Sequence, residues 1–136
     1  MASKQKKICI VATSFHKKPV LVMLGEARKT CKEVNLNVAS EIWVPGSLET
    51  PLALQRALSK KNVDGAIVLG IIEWGETKHG LVMGMAVISA IVQIQLKLGK
   101  PIGVGILGPE ILPVQIEPRL APYAKDAVLA VYEMLT

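Results

Sequence analysis

Aromatic side chains are scarce in this chain, with one Phe, two Trp and two Tyr. A protein that binds single-stranded nucleic acid needs a series of rings on which bases stack, and no such series is present. Cysteine is scarcer still. Cys9 and Cys31 have neither metal-ligand spacing nor the density of a disulfide scaffold, so both are read as packing residues. Gly-x-x-x-x-Gly-Lys is missing, as is Gly-x-Gly-x-x-Gly after the first apolar run, and histidine and carboxylate do not cluster. Nucleotide hydrolysis, dinucleotide oxidoreduction and zinc catalysis lose their usual signatures, and no metal is expected. Long hydrophobic runs are missing too: residues 75–78 and 93–100 interrupt the most apolar region before it reaches the roughly 20 residues of a membrane span. Residues 1–7 lead into only a short apolar stretch without a cleavage signal, so a cytoplasmic protein that avoids membranes is expected.

What the chain has is a basic excess and a regular alternation of patterns. The net charge of +5 comes largely from Lys4 to Lys7, Lys17-Lys18, Arg28 to Lys32 and Lys60-Lys61. Clusters at helix surfaces and chain ends suit the attraction of small phosphorylated anions better than nucleic acid. A length of 136 residues fits one domain, residues 1–136, that buries roughly two-thirds of its unfolded surface.

Short apolar runs rich in β-branched residues occupy 7–13, 37–44, 65–70 and 101–107, as strands buried on both faces require. Helical periods occupy 19–34, 51–59, 80–98 and 119–135. Four alternations imply right-handed βαβ crossovers and a three-layer α/β sandwich of flavodoxin-like shape, with a four-stranded parallel sheet and helices on both faces. The ligand crevice then lies beyond the strands' carboxyl ends, built from residues 13–16, 44–49, 70–79 and 107–113.

The segment 70–79, Gly-Ile-Ile-Glu-Trp-Gly-Glu-Thr-Lys-His, joins a buried strand to a helix start. A helix start presents free N–H groups and the positive end of the macrodipole, which suits an anion. Thr77 adds a hydroxyl, and His79 adds the side chain that most readily exchanges protons near neutrality. His79 reads equally well as a structural histidine. At 44–51, Val-Pro-Gly-Ser-Leu-Glu-Thr-Pro is either a capped helix start with Glu49 favouring the dipole or a ligand cradle in which Ser47 donates and Glu49 accepts. Phe15 follows the first strand, where a stacked planar ligand or a partner subunit would explain an exposed ring. His16 beside it carries less weight. Arg119 suits bidentate phosphate binding or a surface ion pair.

Helix 80–98 has no charged face over residues 81–94, which predicts burial on several sides or cover by another subunit, and a four-stranded sheet has little interior to enclose it. A homo-oligomer is therefore expected. A self-assembling or partner-binding scaffold is the competing reading, and a flavin- or nucleotide-binding module of flavodoxin-like shape is a third.

Taken together, Ser14-Phe15-His16, Val44 through Pro51, Gly70 through His79 and Gly108-Pro109 leading to Arg119 are similar, in order and spacing, to the lumazine synthase family, above all its short archaeal forms. That resemblance implies condensation of 5-amino-6-(D-ribitylamino)uracil with 3,4-dihydroxy-2-butanone 4-phosphate, without cofactor. It implies that Phe15 stacks on the pyrimidine, that Ser47, Leu48 and Glu49 line the ribityl pocket, and that Ile71 and Ile72 flank the ring. Val104 would also contact substrate, Glu76 and Thr77 would hold phosphate, His79 would shuttle protons, and Arg119 would reach phosphate from a neighbouring subunit. It further implies small-molecule substrates and pentamers or larger icosahedral shells. The chain departs from the family pattern at Leu48, Thr50 and Gly80-Leu81-Val82. The apolar helix fits a natural subunit interface or an engineered one on a pentameric scaffold with a designed partner chain, in which catalysis is dispensable.

Overall fold

The computed structural model describes residues 5–136; Lys4 of the basic cluster and residues 1–4 of the leader reading lie outside them. Strands β1 (Lys7–Thr13), β2 (Asn37–Val44), β3 (Gly65–Glu73) and β4 (Ile102–Ile111) form one parallel sheet in the order β2-β1-β3-β4. Helices α1 (Lys17–Glu33), α2 (Thr50–Leu58), α3 (His79–Leu98), α4 (Pro113–Ile116) and α5 (Leu120–Leu135) connect and follow the strands. The expected three-layer sandwich is the observed fold.

Alternation along β1 explains the layering. Ile8, Ile10 and Ala12 point into a core shared with α1 and α5, while Cys9 and Val11 point into a second core with α2 and α3. A strand with apolar residues at every position can hold two helical layers, which is why these runs read as continuous rather than alternating. Closeness is extreme where α5 crosses β4: a Cβ on Gly103 would lie 2.1 Å from the Ala127 carbonyl oxygen. Only glycine permits that approach.

Both cysteines are buried and free, and burial pushes the Cys31 thiol up to about 11. Across the opposite sheet edge, the Arg28 guanidinium forks onto Glu41, ties α1 to β2, and holds that carboxyl below its ordinary value.

Three expectations are corrected. Strand β2 is not buried on both faces, because it is an edge strand whose Ser40, Glu41 and Trp43 face outward. Strands β3 and β4 do not stop at residues 70 and 107 but run on to Glu73 and Ile111, which pair with each other past a register shift. Residues 107–111 are therefore strand rather than a crevice loop. Finally, residues 93–98 do not cut the apolar run short of a membrane span's length, although the helix expected over 80–98 is the one observed. The helix continues to Leu98, ends on left-handed Gly99, and uses Gln95 to accept the Ile102 N–H at 2.8 Å. Its most apolar window has mean hydropathy 1.8 and is 17% buried within the chain, so by length and composition it is able to cross a membrane. In this fold Gly84, Val87 and Ile91 face the sheet while Val82, Met85, Val92 and Leu96 are exposed.

Candidate active site

The sheet order reverses between β1 and β3, since the chain moves outward from β1 to β2 and then returns to the other side. At such a switch point adjacent crossover helices diverge and leave a crevice at the strands' carboxyl ends. A cavity of about 550 Å³ lies there, within the ordinary range for a small-molecule site. Three strand ends supply it: Thr13, Phe15 and His16 after β1, Gly46 to Glu49 after β2, and Ile71 to Gly75 from β3 onward, with Thr77, His79, Gly80 and Met83 closing the side.

Each part follows from local sequence. Pro45 and Gly46 turn the chain, and Glu49 reaches back so that Oε1 accepts the Gly46 N–H at 3.1 Å. Thr50 donates its hydroxyl to the Ser47 carbonyl at 2.7 Å. Glu49 therefore caps the turn and also lines the cleft. Leu48 stands exposed between them. Ile71 and Ile72, expected in a loop, sit on β3 itself, with Ile71 packed toward one core and Ile72 toward the other.

The loop between β3 and α3 leaves the sheet at Trp74, whose N–H donates to the Ile111 carbonyl at 2.8 Å. Lys78 lies 3.9 Å from Glu110 at the end of β4, a second tether. Thr77 Oγ1 accepts the His79 N–H at 3.3 Å. Thr77, His79 and Gly80 at the start of α3 thus line the cavity with a hydroxyl and an exposed imidazole.

Phe15 is 70% exposed and has no core to fill, so its ring is available as a wall. His16, given little weight from the sequence, lines the same cleft, and its Nε2 lies 3.7 Å from Glu73 Oε1. Glu73, Trp74 and Met83 line it too and were not singled out. The signal for Glu73 was that it ends a β-branched run, where a strand side chain meets the crevice.

Three expected residues are not brought to this cleft. Glu76 is exposed in the same loop but does not line the cavity. Val104 pairs with Val68, well short of the strand ends at Glu73 and Ile111, and packs half-buried toward α2 and α3. Arg119 ends the turn before α5, exposed, with Nη1 donating to the Gln115 carbonyl at 2.9 Å. A second, open hollow of about 600 Å³ lies between α1 and the α4–α5 turn, lined by Ile116, Glu117 and Leu120 but not by Arg119.

Fold and cleft together define a doubly wound α/β protein with a switch-point cavity lined by an aromatic ring, a helix start and an imidazole. The sequence pattern of 6,7-dimethyl-8-ribityllumazine synthase matches residues 5–136. The chain is 32% identical over 129 residues to the 6,7-dimethyl-8-ribityllumazine synthase of Staphylothermus marinus, covering 95% of this chain and 86% of that protein. It is 32% identical over 134 residues to the enzyme of that name from Metallosphaera sedula, covering 98% and 89%. With that of Methanococcus maripaludis it shares 31% over 125 residues, covering 92% and 90%. The chain belongs to the 6,7-dimethyl-8-ribityllumazine synthase family.

Proposed function

We propose that this protein condenses 5-amino-6-(D-ribitylamino)uracil with 3,4-dihydroxy-2-butanone 4-phosphate to 6,7-dimethyl-8-ribityllumazine, releasing phosphate and water. The observation that carries this reading is one cavity lined together by Phe15, Ser47, Glu49, Thr77 and His79. Phe15 stacks on the pyrimidine, with Ile71 and Ile72 against the ring. Ser47, Leu48 and Glu49 receive the ribityl chain, where a carboxylate oxygen accepts from hydroxyl groups. The phosphate rests on the free N–H groups of the loop and first turn of α3, with Glu76 contributing through its backbone and Thr77 through its hydroxyl.

The nucleophile is the substrate's own amine, so no covalent enzyme intermediate is needed. Imine formation loses water, and departure of phosphate follows removal of a proton from the butanone carbon skeleton. His79, beside the anion cradle, takes and returns those protons, a contribution of roughly 100- to 10,000-fold. Holding both substrates in one cleft contributes as well. Arg119 completes the phosphate site of a neighbouring subunit, which accounts for its distance from its own cleft.

Oligomerisation belongs to the same reading. The exposed apolar side of α3 and the hollow between α1 and the α4–α5 turn are surfaces that a pentamer, or a shell built from pentamers, would cover. The test mixes purified protein with both substrates and follows lumazine absorbance and phosphate release; the two should rise together. Background turnover in a folded oligomer would reject the enzyme and leave the second reading, a scaffold or cage component joined through α3, alone or with a designed partner. Mass photometry addresses that reading, and a monodisperse monomer would exclude it together with the shared site.

A further inference from the structure

The cleft's aromatic wall is also its least anchored part. A phenyl ring exposed to 70% has few contacts to select one rotamer. What restrains it is the next residue: His16 meets the Phe15 ring edge-on, with centroids 4.7 Å apart and planes at 73°. His16 is in turn linked to β3, because Nε2 lies 3.7 Å from Glu73 Oε1. That separation is beyond hydrogen-bond length, so the pair acts through charge and dipole. All three side chains line the same cavity.

The backbone adds an independent pointer. His16 has φ 63° and ψ 46°, a left-handed conformation that disfavours residues with a Cβ, and it does so where α1 begins. Glycine would be more comfortable there. A strained backbone position beside a cleft is where a side chain with a role is commonly found.

We propose that Glu73 is a positioning residue for the pyrimidine substrate: its carboxylate orients the His16 imidazole, whose ring edge holds Phe15 in the plane on which the pyrimidine stacks. This rests on the reading of the cleft given above. Glu73 and His16 act before substrate arrives, so that a ring which would otherwise be immobilised on binding is already in place. Preorganising one such side chain is worth a factor of about 2 to 10 in affinity.

The experiment measures binding of 5-amino-6-(D-ribitylamino)uracil alone, by calorimetric titration of the assembled protein. Glu73→Ala should weaken binding by about 2- to 10-fold, and Glu73→Gln, which keeps the side chain's size but removes its charge, should weaken it to a similar extent. In a Phe15→Ala background the Glu73→Ala change should have no further effect, because the ring it positions is gone. His16→Gly should hold or raise Tm while weakening binding, opposite signs that a merely structural residue does not give. The KM for the phosphorylated butanone should stay unchanged in the Glu73 variants. Equal losses for Glu73→Ala in the Phe15 and Phe15→Ala backgrounds would overturn the positioning role and leave the cleft assignment standing. Absence of pyrimidine binding by the parent would overturn both.

Discussion

Replacing Phe15 by Ala separates the ring's role in the fold from its role in the cleft. Fully burying a phenylalanine side chain stabilises a fold by roughly 1.5–3 kcal/mol. Phe15 is 70% exposed, so less than a third of that is at stake, under about 1 kcal/mol and a few degrees of Tm. Stacking one heteroaromatic ring on an aromatic side chain is worth about 1–3 kcal/mol, which becomes a 5- to 150-fold loss of affinity at about 1.4 kcal/mol per decade. The variant should therefore bind the pyrimidine substrate about 5- to 150-fold more weakly while melting within a few degrees of the parent. Titration calorimetry and a thermal melt on one preparation read both numbers. Unchanged affinity would refute the stacking role, and a collapse of Tm would show that the ring supports the fold despite its exposure.

Other outcomes follow from the same geometry. His79→Ala should lower kcat by roughly 100- to 10,000-fold with assembly intact, read by steady-state kinetics and light scattering. Gly103→Ala should cost at least about 1–3 kcal/mol in denaturant unfolding, because its methyl would meet the Ala127 carbonyl and α5 must lift from β4. The Cys31 thiol is held up at about 11 by burial, above its ordinary 9.0, so a thiol reagent at pH 8 should react only after unfolding. The linkage has a definite sign: the stabilisation is complete below pH 9.0 and is lost as pH rises toward 11, since the unfolded chain ionises first. A melt series across that window should show a shallower decline in Cys31→Ala than in the parent.

Much of this architecture was legible in the chain because burial on two faces leaves a distinctive trace. The run at 7–13 and the run at 37–44 match β1 and β2 at both ends. The ends of β3 and β4 were not legible, since Gly70, Gly108 and Pro109 read as breakers, whereas pairing of Glu73 with Ile111 carries both strands further. That tertiary pairing also moved Ile71 and Ile72 from loop to strand. Within the site, Phe15, Thr77 and His79 were found by chemistry alone: an exposed ring, a hydroxyl and an imidazole beside a helix start. His16 and Glu73 escaped because their importance lies in a contact across the cleft, which no local pattern encodes. Arg119 stood out by residue type, yet in one chain it lies away from the cleft and hydrogen-bonds the Gln115 carbonyl of its own turn.

The position of Arg119 makes the shared cleft the claim most open to a direct test. Chains carrying His79→Ala and chains carrying Arg119→Ala are each expected to be nearly inactive. Dissociated, mixed in equal amounts and reassembled, they should regain activity, because about a quarter of randomly paired sites join an intact His79 to a neighbour's intact Arg119. Turnover near a quarter of the parent's is the predicted result. A reassembled mixture no more active than the mean of the two variants would contradict a site built between subunits.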